Sequence, residues 1–341
     1  MGRVAIVGAG VAGLAAAYEL GRNGASTTVF EAGSRLGGRI STVERGPIVF
    51  DDGAQFIRTE TPVSEQLLLR DLPADALFDI GRDVRPFDYR GHVGPGDPAQ
   101  NGQPKWGYRG GLRVLPHLLT KASTATVHLG WPVTRLELSG GRWKVHGTNS
   151  AVGEFEAVLV TLPPGVAVAL LRRSDETAGA GKAFGQARHR AIVSVAFEPD
   201  QPPMAPEDAY ALVNSDRKHA ISWLAFESAK PGHVPAGREV LVAQMAEAWS
   251  APRFGHADHA IATEAVSLCG ALLGVQLVAR WTHVTRWSEA LPDSLAIDPT
   301  SNEGNGVFFA GDSLVGGRVH LAIESGLSAA GRIMRRLDAQ S

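Results

Sequence analysis

Residues 3–13 read Arg3-Val-Ala-Ile-Val-Gly8-Ala-Gly10-Val11-Ala12-Gly13, an apolar run that ends in spaced glycines. The run has the composition of a buried strand, and the small residues after it can begin a helix. In this pattern Gly8 permits a tight turn, Gly10 lets the backbone approach a pyrophosphate, and Gly13 lets the helix pack close to the strand. The stretch therefore predicts a strand, a turn and a helix whose first N–H groups bind phosphate.

A carboxylate stands at the end of the next predicted strand. Residues 26–30 have strand composition and are followed by Glu31. About 20 residues after the glycine turn, a carboxylate accepts hydrogen bonds from an adenosine ribose and disfavours a 2′-phosphate. The following loop contains Arg35, Gly38 and Arg39. We therefore expect glycines and two cations beside the pyrophosphate.

A second strand, turn and helix lie far along the chain. They read Gly306-Val-Phe-Phe-Ala-Gly311-Asp312-Ser, then Gly316-Gly-Arg318-Val319-His320 and a small-residue stretch through Gly326. One such element holds a phosphate. Two in one chain predict a long nucleotide whose two ends occupy separate sites.

Together, these residues resemble the flavin amine oxidase superfamily, which binds FAD with the glycine turn, Glu31, the segment 35–39 and the segment around Asp312. Other segments resemble one branch, the renalases and renalase-like bacterial oxidoreductases, and the length of 341 residues fits that branch. These segments are Asp51-Asp-Gly53-Ala54-Gln55-Phe56, Tyr108-Arg-Gly-Gly111-Leu-Arg-Val-Leu-Pro116 and Thr285-Arg286-Trp287-Ser-Glu-Ala-Leu-Pro292.

The resemblance implies where the cofactor lies. The backbone of Val133 contacts adenine, and Thr161 and Pro163 lie beside the adenosine half. The helix that begins at Arg318 and Val319 points its N–H groups at the pyrimidine edge of the ring, where they stabilise negative charge on reduced flavin. The predicted cofactor-binding residues are Gly8, Gly10, Val11, Ala12, Gly13, Glu31, Arg35, Gly38, Arg39, Ala54, Gln55, Phe56, Val133, Thr161, Pro163, Trp287, Gly311, Asp312, Arg318 and Val319.

Two side chains are candidate catalytic residues, Trp287 and His320. Trp287 is placed against the flavin ring or the substrate cavity, with core packing as the alternative. His320 stands where related sequences usually carry an acid. Facing the ring, it would tune the flavin potential or donate a proton near neutral pH, and the alternative is a structural histidine.

Two kinds of residue that are missing from the sequence also bear on its predicted function. Amine oxidases often carry a lysine near flavin N5 on a strand of the substrate domain, and the counterpart here, residues 191–197, contains none. This departure counts against an amine oxidase. Clustered His and Cys ligands are also missing from the sequence, so no metal is predicted.

The middle of the chain predicts a second domain. Successive strand-like runs between residues 191 and 284 lack intervening helices, apart from a predicted helix over 261–273, and this indicates an antiparallel sheet. Residues 126–129, 133–138 and 142–146 predict a small β-meander. We expect an α/β fold: a discontinuous Rossmann-like FAD-binding domain (1–77, 111–165 and 282–341) with an inserted substrate domain on a mixed or antiparallel sheet (78–110 and 166–281).

Composition narrows the class of protein. A net charge of −2 gives no electrostatic footprint for nucleic acid. The single cysteine, Cys269, rules out an internal disulfide and fits a cytoplasmic location. It lies far from the position where some amine oxidases attach flavin covalently, so we expect noncovalent FAD. Nowhere does the sequence contain a run of about 18 apolar residues that would predict a membrane span.

The function that the resemblance favours is hydride transfer from a small organic donor to flavin N5, with reoxidation by O2 to give hydrogen peroxide. Renalase-like enzymes take the hydride from isomeric dihydronicotinamides and return NAD(P)+. Three alternatives remain open at this point: a flavin amine oxidase acting on a small amine, an FAD-dependent desaturase or isomerase, and a noncatalytic binding protein stabilised by FAD.

Overall fold

In the computed structural model, strands from both ends of the chain lie in one parallel sheet. The structure describes residues 2–148, 150–174, 177, 181–182, 184–206, 209–296, 303 and 305–340. The strands in these ranges are β1 Arg3–Val7, β2 Ser26–Phe30, β3 Thr42–Arg45, β4 Ile48–Asp51, β5 Leu77–Asp79, β6 Val84–Phe87, β7 Trp106–Tyr108, β8 Thr126–His128, β9 Arg135–Ser139, β10 Arg142–His146, β11 Ala151–Phe155, β12 Ala157–Val160, β13 Arg188–Pro199, β14 Ala211–Asn214, β15 Ile221–Phe226, β16 Leu241–Met245, β17 Ala279–Ser294 and β18 Val307–Phe309.

The described α-helices range in length from 4 to 22 residues. Within the described residues they are α1 Val11–Arg22, α2 Pro62–Gln66, α3 Pro98–Asn101, α4 Val114–Ser123, α5 Pro164–Leu171, α6 Glu247–Arg253, α7 Asp258–Leu273, α8 Asp312–Val315 and α9 Val319–Gln340. A π-helical turn, Leu67–Asp71, follows α2, and a 3-10 turn, Glu227–Ala229, follows β15.

The parallel sheet has the order β18-β12-β1-β2-β8 in the described part of the chain. Its central strand β1 is buried from Val4 to Val7, as expected for a parallel strand covered on both faces. Helices α1 and α9 pack together on this sheet, and their closest approach is at Gly326. A Cβ at that position would lie 2.1 Å from the carbonyl oxygen of Ala12. The architecture is Rossmann-like, as predicted.

The substrate sheet has the order β17-β13-β16-β15-β14-β6 among the described strands. Neighbouring strands are antiparallel, except that β6 pairs parallel with β14. Helix α7 covers one face, where Cys269 is buried in an apolar core. The mixed sheet agrees with the predicted fold class. Residue 282 lies within β17, which pairs along β13, so this strand crosses the expected domain boundary; the domain division stays a prediction.

The meander prediction was wrong in one strand. Residues 126–128 form β8, which pairs parallel with β2 in the main sheet. The meander instead consists of β9, β10 and β11, with β11 at residues 151–155. A three-residue strand carries too little periodicity to indicate which sheet it joins, since pairing is decided by distant partners.

Candidate active site

The glycine turn after β1 has the conformation that its sequence predicts. Gly8 has φ +108°, in the left-handed region that glycine favours. A Cβ on Gly13 would lie 2.3 Å from the carbonyl oxygen of Gly8, whereas a Cβ on Gly10 would meet nothing within 4 Å. Behind the turn, the Thr161 hydroxyl lies 3.0 Å from the carbonyl oxygens of both Val7 and Gly8 and can donate to them. Thr161 therefore supports the turn from the side of β12.

The helix that follows is open to an anion at its start. Helix α1 begins at Val11, its N-cap is Gly10, and no side chain caps this end or places an acid in the first turn. The first N–H groups of a helix lack partners within the helix and carry partial positive charge. The open space at Gly10 and the uncapped first turn fit the pyrophosphate of a dinucleotide.

The Gly10→Ala variant tests this fit. Because a Cβ here meets no protein atom and Gly10 has φ −68°, the substitution should leave the stability of the apoprotein within about 0.5 kcal/mol of wild type. The same methyl group enters the space of the pyrophosphate, so FAD affinity should fall at least roughly tenfold, about 1.4 kcal/mol. Thermal denaturation of the apoprotein and FAD titration by fluorescence measure the two effects. Unchanged FAD affinity would mean that the pyrophosphate lies elsewhere.

Glu31 is held at the end of β2 by two backbone N–H groups. Its Oε2 accepts from Ala9 N at 2.8 Å and its Oε1 from Gly33 N at 2.7 Å. The next segment folds back over the turn, and Gly38, at φ +59°, would place a Cβ 3.4 Å from the Cα of Gly10. The carboxylate is thus fixed beside the glycine turn, and its contact with an adenosine ribose stays a prediction.

Arg39 and Asp312 join the two halves of the predicted FAD site. Arg39 Nη1 and Nη2 each donate to one carboxylate oxygen of Asp312 at 2.7 Å, and Nη1 also donates to the carbonyl of Ala290 at 3.0 Å. The two residues lie 273 positions apart in sequence. The sequence predicted both as cofactor residues but not that they would pair. Arg35, by contrast, is exposed in its loop and is not brought into this pair.

His189 lies beside the pair formed by Arg39 and Asp312. Its Nδ1 lies 3.4 Å from Arg39 Nη1 and 3.5 Å from the carbonyl oxygen of Glu289. Burial lowers the pKa of His189, with Asp312 opposing that effect and Arg39 adding to it. The ring is therefore neutral near pH 7. No sequence motif marked it, because it reaches the site through the register of β13 against β17.

Segment 52–56 is hydrogen-bonded to side chains of the substrate sheet. Trp287 Nε1 donates to the carbonyl of Asp52 at 3.1 Å, and Gln244 Nε2 donates to the carbonyl of Gly53 at 2.6 Å. The hydroxyl of Tyr210 donates to the carbonyl of Gln55 at 3.0 Å. Strands β17 and β16 and the residue before β14 therefore fix the backbone of this segment.

The Asp52 side chain turns into the sheet. Its Oδ2 accepts from the Thr285 hydroxyl at 2.7 Å and lies 3.8 Å from His283 Nε2. Burial raises the pKa of Asp52, but hydrogen bonds from His283, Thr285 and Ser41 outweigh burial and lower it. The carboxylate is ionised at neutral pH and already has partners.

Aromatic rings stand at the far end of the same segment. The Phe56 ring lies 6.1 Å from the Trp223 ring and 6.4 Å from the Tyr210 ring, centroid to centroid. Ala54 packs against the core of the nucleotide domain. The assignment of Ala54, Gln55 and Phe56 to the flavin stays a prediction.

The remaining predicted residues lie at the ends of elements. Val319 begins α9, and Arg318 precedes it on the surface. Gly311, at φ +134°, donates its N–H to the hydroxyl of Ser325 at 3.0 Å and so holds the turn before Asp312 against α9. Pro163 is the N-cap of α5, and Val133 packs against the core beside β9.

His320 is buried between α9 and the segment before α2. It is 2% exposed, and its Nε2 lies 3.5 Å from Glu60 Oε2. Burial lowers the pKa of His320, Arg318 and Arg58 lower it further, and Glu60 and Glu324 oppose the shift. The ring is thus mainly neutral at pH 7, which disfavours it as a proton donor there.

A pH profile of stability tests the state of His320. Because its pKa in the folded protein is below the unfolded value of about 6.5, its contribution is complete above that pH and is lost as the pH falls through the folded pKa. The His320→Gln variant should therefore lose less stability than wild type between pH 7.5 and 5. His117→Gln, at an exposed position, should keep the wild-type slope. Parallel slopes for His320→Gln and wild type in denaturant titrations would contradict the shift.

Comparison with known proteins gives the family. A model of the NAD(P)-binding Rossmann-like domain matches residues 6–71, and the model described as flavin containing amine oxidoreductase matches residues 98–334. The second match covers more than half of the chain, and the chain belongs to this family of flavin-containing amine oxidoreductases. The cofactor is FAD, and the protein is a flavin-dependent oxidoreductase.

Particular relatives match shorter stretches. Protoporphyrinogen oxidase 2 of Arabidopsis thaliana is 47% identical over 66 residues, which cover 19% of this chain and 13% of the relative. Phytoene desaturase (neurosporene-forming) of Rhodobacter capsulatus is 42% identical over 84 residues, 25% of this chain and 15% of the relative. These matches span a small part of each curated relative.

Similarity of fold extends over the whole chain. Cyclohexylamine oxidase from Brevibacterium oxydans IH-35A superimposes with a TM-score of 0.77 over 99% of both chains, at 16% sequence identity. At that identity the likeness supports the fold alone. Among the residues that the structure describes, no helix is both long enough and apolar enough to cross a bilayer.

Proposed function

We propose that this oxidoreductase removes a hydride from a small donor whose ring is uncharged. The proposed donors are dihydronicotinamide isomers, as in renalase-like enzymes. Bound FAD supplies a hydride acceptor at N5 and its reoxidation by O2, which yields hydrogen peroxide. The chain's own residues bind the cofactor, orient the donor and exclude water. The cytoplasm is the proposed location.

The observation that carries this proposal is the character of the sheet face beside segment 52–56. Strand register aligns Ile192 with Trp287, and Ser194 with both Thr285 and Gln244. Gln244 is aligned in turn with Trp223. None of these side chains carries a charge. The nearby carboxylate of Asp52 is 2% exposed and its Oδ2 is bonded to Thr285, so little of its charge is open to an ammonium group.

Strand β13 of the substrate sheet supports the same proposed donor. In β13, residues 188–199 include no lysine. A planar donor with apolar and hydrogen-bonding edges matches a wall of indole, amide and hydroxyl groups better than a primary amine does. Indole rings bury large apolar area and hold a planar partner at low entropic cost.

Residues of the nucleotide domain hold the cofactor in this proposal. The first turn of α1 receives the pyrophosphate, and Arg39, oriented by Asp312, compensates its charge. The start of α9 stabilises negative charge at the pyrimidine edge. Trp287, fixed by its bond to Asp52, orients the donor rather than moving a proton.

An anaerobic stopped-flow screen tests the proposed function. The purified holoprotein is mixed with 2- and 6-dihydronicotinamide isomers, NADH, primary amines and polyenes, and loss of the flavin absorbance is followed. The proposal expects rapid bleaching by a dihydronicotinamide isomer and NAD(P)+ as product. Bleaching by amines alone would assign an amine oxidase, and bleaching by polyenes alone a desaturase. Absence of bleaching by every donor would favour a noncatalytic role.

A further inference from the structure

Four charged side chains form a buried ionic cluster next to segment 52–56: Asp51, Glu227, Lys230 and His233. Lys230 Nζ lies 3.0 Å from Asp51 Oδ2 and 2.9 Å from Glu227 Oε1. His233 Nδ1 lies 2.9 Å from the second oxygen of Glu227. Each of the four residues is at most 1% exposed. The proposed function uses none of them directly.

The cluster is complete without a metal ion. One ligand atom from each of Asp51, Glu227 and His233 lies within 4.8 Å of the others, a spacing that a cation could use. The ammonium group of Lys230, however, already contacts both carboxylates. Burial alone lowers the pKa of Lys230, but Asp51 and Glu227 outweigh burial and raise it above its ordinary value. The Lys230 ammonium group is therefore a permanent positive charge in the position that a metal ion would occupy.

His233 is held between two oxygen atoms. Its Nδ1 faces a Glu227 oxygen at 2.9 Å, and its Nε2 faces the carbonyl oxygen of Tyr108 at 3.2 Å. Burial raises the pKa of Glu227, but Lys230 and His233 outweigh burial and lower it, so this group is a carboxylate. His233 therefore links the Glu227 carboxylate to the backbone of Tyr108, and the Lys230 ammonium group links the same carboxylate to Asp51.

Stability does not explain such a cluster. Removing charges from water is expensive, and replacing a buried ion pair by packed apolar residues is often neutral or stabilising. The better attested use of buried charged groups is to select one arrangement of the chain. The question is then which arrangement this cluster selects.

The cluster connects segment 52–56 to the substrate sheet. Asp51 directly precedes the segment, and its backbone carbonyl accepts from Gln55 Nε2 at 2.6 Å. Its carboxylate also accepts from the Thr42 hydroxyl at 2.6 Å and from Leu112 N at 2.9 Å. Lys230 follows β15 of the substrate sheet, so its contact with Asp51 joins that sheet to β4.

We infer that Lys230 and His233 are positioning residues: by bonding to the carboxylates of Asp51 and Glu227 they fix segment 52–56 on the substrate sheet, and so fix the face that the flavin ring and its donor meet. The inference rests on the proposed placement of segment 52–56 beside the flavin. Lys230 itself does not touch donor or flavin, since its Nζ is enclosed by the two carboxylates and lies 5.6 Å from the Tyr210 ring centroid. Tyr210 bonds the same Gln55 that bonds Asp51.

The first test compares two buried lysines in the holoprotein. Lys230→Met keeps the length of the side chain and removes its charge. Lys105→Met is the matched control, because Lys105 is also 1% exposed but donates to the carbonyl of Asn101 at 3.1 Å, outside the cluster. Lys230→Met should shift the flavin absorption bands and slow flavin reduction roughly a hundredfold, because the face that orients the donor would be displaced from the flavin. Lys105→Met should leave both unchanged.

A double variant covers the case in which Lys230→Met does not fold. Lys230→Met with Asp51→Asn removes one cation and one carboxylate together, so the net charge of the cluster is unchanged and the protein should fold. Its flavin bands should still be shifted, because the contact between β4 and the substrate sheet is gone. A native spectrum in the folded variant, single or double, would overturn the inference. The absorption spectrum needs no substrate, so this outcome is independent of whether the proposed donor is right.

Discussion

Replacing Gly326 with alanine should destabilise the protein by about 3 kcal/mol and abolish tight FAD binding. The new methyl group would lie 2.1 Å from the carbonyl oxygen of Ala12 and 2.9 Å from its carbonyl carbon. Both are backbone atoms in the first turn of α1, so no side chain can rotate to make room. Helix α9 must therefore move away from α1, and with it the turn that carries Asp312. Urea denaturation and FAD titration measure the two losses.

The same helix provides the control. A Cβ on Gly331 would lie 3.7 Å from the guanidinium of Arg335, an ordinary van der Waals contact with a flexible side chain. Gly331→Ala should therefore keep FAD and gain roughly 0.5 to 1 kcal/mol, the difference in helix propensity. If Gly326→Ala behaved like Gly331→Ala, the close contact between the two helices would not exist in solution.

Arg39→Met should lower FAD affinity roughly a hundredfold, or about 3 kcal/mol. The variant removes a cation predicted to compensate the pyrophosphate. It also leaves the Asp312 carboxylate, 12% exposed, without the partner that holds both its oxygens at 2.7 Å. An uncompensated carboxylate repels the cofactor phosphates. Equilibrium dialysis of FAD at several salt concentrations checks the loss and its electrostatic origin.

Two further variants separate charge from folding. Arg35→Met removes the other predicted cation from its exposed loop, and FAD affinity should change by less than about threefold. Arg39→Met with Asp312→Asn removes the uncompensated carboxylate, so stability should return while FAD affinity stays low. Equal losses for Arg35→Met and Arg39→Met would mean that the pair with Asp312 does not set the affinity.

Local spacing predicted the parts of the site that one stretch of backbone builds. The turn at Gly8, the carboxylate of Glu31 and the helix start at Val319 all follow from glycine conformation and strand ends within a few residues. The FAD cofactor and the fold class followed from the same motifs. The predicted turn, strand end and helix start were confirmed because the interactions that form them are short in sequence.

The contacts between distant segments could not be predicted from local sequence patterns. Arg39 meets Asp312, and Lys230 meets Asp51, across large sequence separations that depend on strand register. Lys230 gave no signal because its neighbours in sequence carry no motif. Likewise, residues 126–128 were assigned to the wrong sheet because parallel pairing with β2 leaves no local trace.

The order in which the chain is made bears on when the coenzyme can be captured. Strand β1 and helix α1 are translated before α9, which packs on α1 through Gly326. Before α9 is in place, the guanidinium of Arg39 lacks the Asp312 carboxylate that holds it. The cofactor site is therefore completed only after both strand–turn–helix segments have been translated.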